Sequence, residues 1–235
     1  MPAFLEPTAP TAADALLPAD PGAALLLAQD LLEAPRMSNH SHGLWGYHGV
    51  TDGGRALTIQ STGIGGPSAA IVLRELRDLG VERAVRIGAC TPLDAELRPG
   101  DMIVVERALV ADGTSAALGA EGSVPADRAL TKRLIEAAPA ARAATVASTD
   151  LFYGSRPAHG APAADLESAA LLALGAALGL AVAGILVVGD LQPGDGGGAE
   201  HVAGPDKGAI RLGRIASAAL GAQDPSPGSG TESRA

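Results

Sequence analysis

Chemically active side chains follow directly on apolar runs at four places in this sequence. These places are residues 63–66 (Gly-Ile-Gly-Gly), 86–88 (Arg-Ile-Gly), 148–153 (Ser-Thr-Asp-Leu-Phe-Tyr) and 189–190 (Gly-Asp). Short apolar runs bounded by turn residues predict buried strands. In α/β sheets, ligands bind beyond the carboxyl ends of the strands. The pattern therefore predicts that the four segments meet at one ligand site.

Two of these segments can hold an anion. The glycine turn at residues 61–68 runs into a helix, and the backbone amides near Gly65 favour an anion or a polar ligand oxygen. A purely structural glycine turn is the more frequent alternative. Arg86 lies within an apolar run, and a buried guanidinium without an anionic partner is costly. Its partner is either a ligand anion or a neighbouring Asp or Glu, and the sequence leaves both open.

Three carboxylates have a chemical and a structural interpretation. Asp165 and Glu167 precede an Ala/Leu-rich helix, where acidic residues are common as caps. A carboxylate at Glu167 can also accept both hydroxyl groups of a ribose. Asp190 follows an apolar strand, so it is either a loop cap or a general acid whose proton affinity an apolar pocket raises.

Composition excludes several classes of function. The net charge is −9 and no cluster of Lys and Arg is present, which argues against a nucleic-acid partner. The single cysteine, Cys90, and the lack of a signal-peptide pattern favour the cytoplasm. Three glycines interrupt the apolar stretch at residues 168–188, which indicates a helix, a turn and a strand and not a membrane span. No His/Cys/Asp group has metal-ligand spacing, so no metal is expected.

The elements that must position these residues alternate along the chain. Residues 1–15 are rich in Pro, Ala and Thr and residues 222–235 in Pro, Gly and Ser, so both are predicted to be flexible, which leaves one domain at residues 16–221. Alternation of strands and helices predicts a largely parallel sheet with helices on both faces, the α/β class. The predicted strands are 56–61, 83–87, 102–109, 144–148 and 181–188, and the predicted helices are 68–79, 127–138, 166–178 and 207–220.

Five motifs in the same order resemble the purine nucleoside and uridine phosphorylase family. They lie at residues 16–22, 61–70, 86–88, 148–153 and 165–169. The resemblance implies a three-layer α/β/α fold with a mixed, largely parallel sheet. It also implies a homo-oligomer, usually a hexamer made of dimers, in which each site borrows residues from a neighbouring subunit. The implied reaction cleaves the N-glycosidic bond of a nucleoside, with inorganic phosphate as co-substrate and no other cofactor.

The resemblance also implies roles for particular residues. Arg86 is similar to the family's phosphate-binding arginine, Glu167 to the glutamate that holds ribose, and Asp190 to the aspartate that protonates a purine leaving group. Phe152 matches the ring that packs on the base. We therefore predict Arg86, Glu167 and Asp190 as catalytic residues. The predicted substrate-binding residues are Asp20, His42, Gly65, Gly88, Ala89, Phe152, Asp165 and Leu166, the last in place of the family's usual Met.

Three phosphate ligands of the family are replaced in this chain. Ala23 stands where the family has an arginine, His42 where the neighbouring subunit lends a second one, and Ala89 where a hydroxyl residue is usual. Phosphorolysis of a purine-like nucleoside is the leading prediction. Hydrolysis, with Asp20 or Asp165 as the base for water, stays open. So does a catalytically weak nucleoside-binding protein.

Overall fold

The computed structural model describes residues 2–153, 160–189 and 205–222, with the side chains of 205–207 left aside. Its strands are β1 (Asp14–Pro18), β2 (Glu33–Asn39), β3 (Gly46–Val50), β4 (Ala56–Gln60), β5 (Arg83–Pro92), β6 (Met102–Ala111), β7 (Ser123–Pro125), β8 (Arg142–Thr149), β9 (Ala163–Asp165) and β10 (Ala181–Val188). Its α-helices are α1 (Pro21–Leu31), α2 (Gly66–Asp78), α3 (Gly113–Ala117), α4 (Arg128–Ala137), α5 (Ser168–Leu178) and α6 (Pro205–Gly221).

The strands form one mixed sheet that closes on itself at one end. Strands β5, β10, β6, β8 and β9 pair in a closed ring, and β1, β4, β3 and β2 extend outward from β5. The pairings of β1 with β4 and β5, and of β5 with β10, are parallel. Strand β9 closes the ring because it pairs with both neighbours, parallel to β8 and antiparallel to β5.

Helices cover both faces of this sheet, so the molecule has three layers. Neighbouring residues on a strand point to opposite faces, and β1 shows this directly. Leu17 packs in the core with α2 and α5, whereas Leu16 packs in the core with α1, α4 and α6. Helix α5 is apolar nearly all round and seven of its eleven residues are buried, as expected of a helix largely enclosed by other elements. The predicted α/β class is therefore confirmed.

Each of the nine predicted elements has a counterpart, but several strands are longer than expected. Strand β5 continues past Gly88 to Pro92 because Thr91 and Pro92 pair with β9, a partner that the local sequence does not reveal. Helix α1 was not predicted, although Asp20 accepts a hydrogen bond from the Ala23 N–H and Pro21 occupies its first turn. Both residues are common helix-start signals.

The N-terminal segment, which composition predicts to be flexible, makes specific contacts with the folded body. The carboxylate of Glu75 in α2 accepts hydrogen bonds from the amides of Ala3, Phe4 and Leu5 at 2.7–3.1 Å. The side chain of Leu5 is only 2% exposed. Burial of one leucine and a shared carboxylate acceptor together hold this segment against α2. Within the described ranges, no helix is long and apolar enough to cross a membrane.

Candidate active site

A cavity of about 630 Å³ lies beyond the carboxyl ends of β1, β5 and β8. This is where the sequence pattern predicts a ligand site, and the volume is in the usual range for small-molecule pockets. Segments from five separate parts of the chain line the cavity. The predicted site residues among them are Asp20, Arg86, Gly88, Ala89, Phe152, Asp165, Leu166 and Glu167.

Arg86 is the only arginine or lysine among the described residues that line the cavity, and it is 3% exposed. Its Nε donates to Asp165 Oδ2 at 3.0 Å, and its Nη2 donates to Glu167 Oε2 at 2.5 Å. Its Nη1 is buried and has no hydrogen-bond partner in the described part of the chain. The sequence left open whether Arg86 pairs with protein acids or with a ligand. The structure shows the first arrangement, with Nη1 left without a partner among the described residues.

Neighbouring carboxylates stabilise the protonated form of Arg86. Burial lowers the pKa of a guanidinium, but the carboxylates of Glu167 and Asp165 more than offset this effect, so the pKa of Arg86 is raised above its ordinary value. Arg86 therefore stays cationic at every pH at which the protein folds.

Glu167 joins three elements at the cavity wall. Its Oε2 accepts from Arg86, and its Oε1 accepts from the backbone N–H of Gly65 at 2.8 Å. Gly65 precedes α2 and has a φ of 88°, a left-handed conformation that favours glycine. The amide near Gly65 that the sequence predicts as an anion site thus holds a carboxylate of the protein. Each carboxylate oxygen has a second lone pair, so Glu167 can still accept hydrogen bonds from a ligand.

The carboxylate of Asp165 accepts hydrogen bonds from several groups of the protein. Besides Arg86, it accepts from Ser148 Oγ at 2.6 Å, from Ser168 Oγ at 2.6 Å and from the Ser168 N–H at 3.1 and 3.3 Å. The bond from the Ser168 amide caps the first turn of α5, which agrees with the capping role common for acids at this position. The sequence assigns no role to Ser148 in β8 or to Ser168 at the start of α5, because neither has a local signal that it faces a carboxylate.

Gly88 is required by the closeness of Arg86. A Cβ atom built on Gly88 would lie 2.9 Å from Arg86 Nη2 and 3.1 Å from Cζ and Nη1. These distances are shorter than van der Waals contact. The guanidinium therefore packs directly on the glycine backbone, and a side chain at position 88 would displace it.

We expect Gly88→Ala to lower kcat/KM by about 10–100-fold, because a displacement of about 1 Å in a catalytic group has effects of that size. Steady-state kinetics measures the change, and thermal unfolding measures stability in parallel. The matched control is Gly53→Ala, where the nearest atom to the new Cβ is Thr51 Oγ1 at 3.8 Å. Equal activity of both variants would contradict the prediction.

The opening of the cavity is apolar and aromatic. Phe152 and Tyr153 contact each other edge to face, with ring centroids 4.9 Å apart. Ile64 and Tyr153 line the cavity and are 79% and 81% exposed. Large apolar side chains this exposed mark a surface that contacts a ligand or another protein. The position of Phe152 is compatible with the base-packing role that the resemblance implies.

Cys90 lines the cavity, and its buried thiol is poorly suited to act as a nucleophile. Burial is the main reason that the pKa of its thiol is raised from 9.0 to about 12; Asp165 adds to the shift and Arg86 opposes it. A thiol with this pKa remains protonated and unreactive at neutral pH.

We expect native Cys90 to resist alkylation by iodoacetamide at pH 8. A pKa of about 12 in place of 9.0 lowers the thiolate fraction by about 1000-fold. The same protein unfolded in urea, where the shift is lost, serves as the control and should react fully. Mass spectrometry of the peptide that contains Cys90 measures both rates, and comparable rates would contradict this assignment.

Three predicted site residues, Gly65, His42 and Asp190, are not among the described residues that line the cavity. His42 has a φ of 56° and packs its ring against Phe4, with centroids 5.2 Å apart, and it is not among the lining residues of its own chain. Asp190 lies outside the described residues. Gly189, which precedes it, donates its N–H to the carbonyl of Cys90 at 2.9 Å, so the chain leaves β10 beside the cavity wall. Among the described residues, no group of His, Cys, Asp and Glu could hold a metal ion.

The fold and the cavity together define an α/β protein with a cavity at the carboxyl ends of its strands. The family model described as the phosphorylase superfamily matches residues 14–221. This chain therefore belongs to the phosphorylase superfamily. The match begins at the first residue of β1 and ends at the last residue of α6.

Comparisons with individual proteins agree with this membership. The chain is 32% identical over 205 residues to the DeoD-type purine nucleoside phosphorylase of Caldanaerobacter subterraneus subsp. tengcongensis, covering 79% of this chain and 86% of that protein. It is 30% identical over 188 residues to the same type of protein from Geobacillus kaustophilus, covering 74% and 79%. Its fold is similar to the crystal structure of purine nucleoside phosphorylase from Toxoplasma gondii in complex with immucillin-H. The TM-score is 0.76 at 24% identity, covering 90% of this chain and 93% of that one.

Proposed function

We propose that the protein cleaves the N-glycosidic bond of a nucleoside, with a preference for purine bases, and transfers the ribosyl group to phosphate. The products are the free base and ribose 1-phosphate. The observation that carries this proposal is the Glu167 carboxylate, which Gly65 and Arg86 hold at the wall of a cavity also lined by Phe152. Relatives at 30–32% identity bear the name purine nucleoside phosphorylase, which supports the purine preference.

The chemistry of the reaction suits these residues. As the bond between ribose and base breaks, the electron pair of that bond leaves with the base and the ribose becomes oxocarbenium-like. In this proposal Glu167 accepts the ribose hydroxyls and stabilises the developing positive charge. Asp190 gives its proton to the leaving base, and a phosphate oxygen forms the new bond to the sugar carbon.

Phosphate binding in this proposal rests on Arg86. Arg86 lines the cavity and its Nη1 has no hydrogen-bond partner among the described residues, and an ionised donor forms strong hydrogen bonds to a phosphate oxygen. The resemblance implies a second cation from a neighbouring subunit at the position of His42. The proposal therefore includes a homo-oligomer in which His42 of one subunit approaches Arg86 of another.

Water is a second candidate acceptor, and the charges of the cavity favour it. The described lining residues include one guanidinium and three carboxylates, a balance that disfavours an entering anion. Features that commonly bind phosphate already hold protein carboxylates. Asp20 caps α1, Glu167 occupies the amide of Gly65, and Asp165 and Glu167 both pair with Arg86. Because the acceptor sites of Asp165 are filled, Asp20 is the better candidate for the base that activates water.

One assay separates these functions. Purified protein is incubated with inosine, adenosine and uridine, with and without added phosphate, and the free base, ribose and ribose 1-phosphate are measured. Base release that requires phosphate and yields ribose 1-phosphate supports the main proposal. Release without phosphate, yielding free ribose, supports hydrolysis. Nucleoside binding without release would contradict both and indicate a nucleoside-binding protein.

A further inference from the structure

The carboxylate of Asp165 has no acceptor capacity left for a substrate. A carboxylate offers about four lone-pair positions, and four donor groups of the protein already occupy this one: Ser148 Oγ, Ser168 Oγ, the Ser168 N–H and Arg86 Nε. Its side chain is fully buried. A ribose hydroxyl or a water molecule could bind Asp165 only by displacing one of these donors.

The network around Asp165 follows from strand register. Ser148 of β8 lies directly opposite Asp165 of β9 in the sheet, which places its hydroxyl at the carboxylate. The Ser148 Oγ also accepts from the N–H of Ala169 at 2.8 Å in the first turn of α5. One hydroxyl thus connects β8, β9 and α5, and it can point its single proton only at Asp165 when it accepts from Ala169.

This network fixes the direction of the arginine. Asp165 holds Nε, Glu167 holds Nη2, and the backbone of Gly88 lies against the plane of the guanidinium. With Nε and Nη2 both held, the orientation of the remaining group Nη1 is fixed as well. A guanidinium is planar and rigid, so the hydrogen bond from Nε to Asp165 helps to determine the orientation of the whole group.

We propose that Ser148 and Asp165 are positioning residues: they orient Arg86 for the acceptor step, and Asp165 neither binds the nucleoside nor acts as a base. This inference rests on the proposed function, because its kinetic test needs a reaction to measure. It assigns a task to Ser148, which is 0% exposed and would otherwise be an unexplained hydroxyl in an apolar strand.

A matched pair of variants, Ser148→Thr and Ser148→Val, tests the hydroxyl. Both side chains have nearly the same shape and both suit a β-strand, so their difference isolates the hydrogen bond to Asp165. We expect Ser148→Val to have kcat about 10–100-fold below that of Ser148→Thr. The nucleoside Kd should stay within about two-fold, because the loss falls on the reaction step and not on ground-state binding.

A spectroscopic measurement tests the inference without any activity. In the parent protein and in Ser148→Thr, the Nε–H of Arg86 should give a slowly exchanging, shifted resonance in ¹H–¹⁵N spectra, assigned with Arg86→Lys. In Ser148→Val this resonance should move or exchange faster. If no nucleoside is cleaved, the proposed function fails, while the resonance still reports whether Ser148 orients Arg86.

Several results would overturn the inference. They are equal kcat for the valine and threonine variants, an unchanged Arg86 resonance in Ser148→Val, or a loss that appears only as weaker nucleoside binding. If Ser148→Val does not fold, Ser168→Ala replaces it, since Ser168 Oγ contacts the same Asp165 oxygen as Arg86 Nε. The same kinetic split and the same change in the resonance are expected there, and their absence would overturn the inference equally.

Discussion

Replacing Glu167 by Gln should lower kcat/KM for nucleoside cleavage by about 10²–10³-fold, the usual effect of removing one group that stabilises transition-state charge. The amide keeps the shape of the side chain and an oxygen for the Gly65 N–H. It loses the negative charge beside the oxocarbenium-like sugar. It also directs an NH₂ group at Arg86 Nη2, which is itself a donor. Steady-state kinetics with saturating and limiting nucleoside measures the change.

The control for this substitution is Glu121→Gln, the same chemical change at an exposed position in the turn before β7. Its kcat/KM should equal that of the parent protein. Parent-like activity of Glu167→Gln would show that the ribose is not held at this carboxylate, and the proposed function would lose the observation that carries it.

Replacing Arg86 by Met should destabilise the protein by about 3–5 kcal/mol, because it leaves two buried carboxylates without their cation. The side chains of Asp165 and Glu167 are 0% and 4% exposed, and breaking a buried ion pair by removing one partner is costly. A loss of this size is a large share of the stability of a typical domain. Urea unfolding followed by circular dichroism measures the free energy of unfolding. Base release should fall to background in the same variant.

The triple variant Arg86→Met, Asp165→Asn, Glu167→Gln separates charge from packing. Removing the carboxylate charges together with the cation should restore much of the lost stability, because a complete ion cluster often contributes little net free energy. It should not restore activity. Stability of Arg86→Met within about 1 kcal/mol of the parent would contradict the burial argument. If the triple variant is as unstable as Arg86→Met, the lost stability comes from packing and not from unpaired charge.

Much of the fold follows from local patterns in the sequence. The apolar runs at β10 and α5 are long, periodic or continuous, and bounded by glycines, so strand and helix were predicted there within two residues of their bounds. The short strands β7 and β9 were not predicted. Three residues carry too little pattern, and these strands exist because the neighbouring strands offer them unpaired backbone groups.

For the candidate site, sequence and resemblance predicted which residues meet but not how they pair. Arg86, Glu167, Asp165 and Phe152 do line one cavity. The sequence could not show that Gly65 binds the Glu167 carboxylate, since the two residues are 102 positions apart. Nor could it show that Ser148 faces Asp165, because that contact depends on the register of two strands. The roles of all these residues, with those of His42 and Asp190, stay predictions.

Strand β9, which closes the ring of five strands, is three residues long and ends at Asp165. On its β5 side it is secured by two paired positions and by the carbonyl of Pro162, which accepts from the amides of Leu93 and Asp94. The seam between β8 and β5 therefore consists only of the short strand β9, and the contact of Asp165 with Arg86 joins β9 to β5 across it. We expect a ligand that binds Arg86 to slow amide hydrogen exchange along this seam, since opening of β9 would break the contact of Asp165 with Arg86.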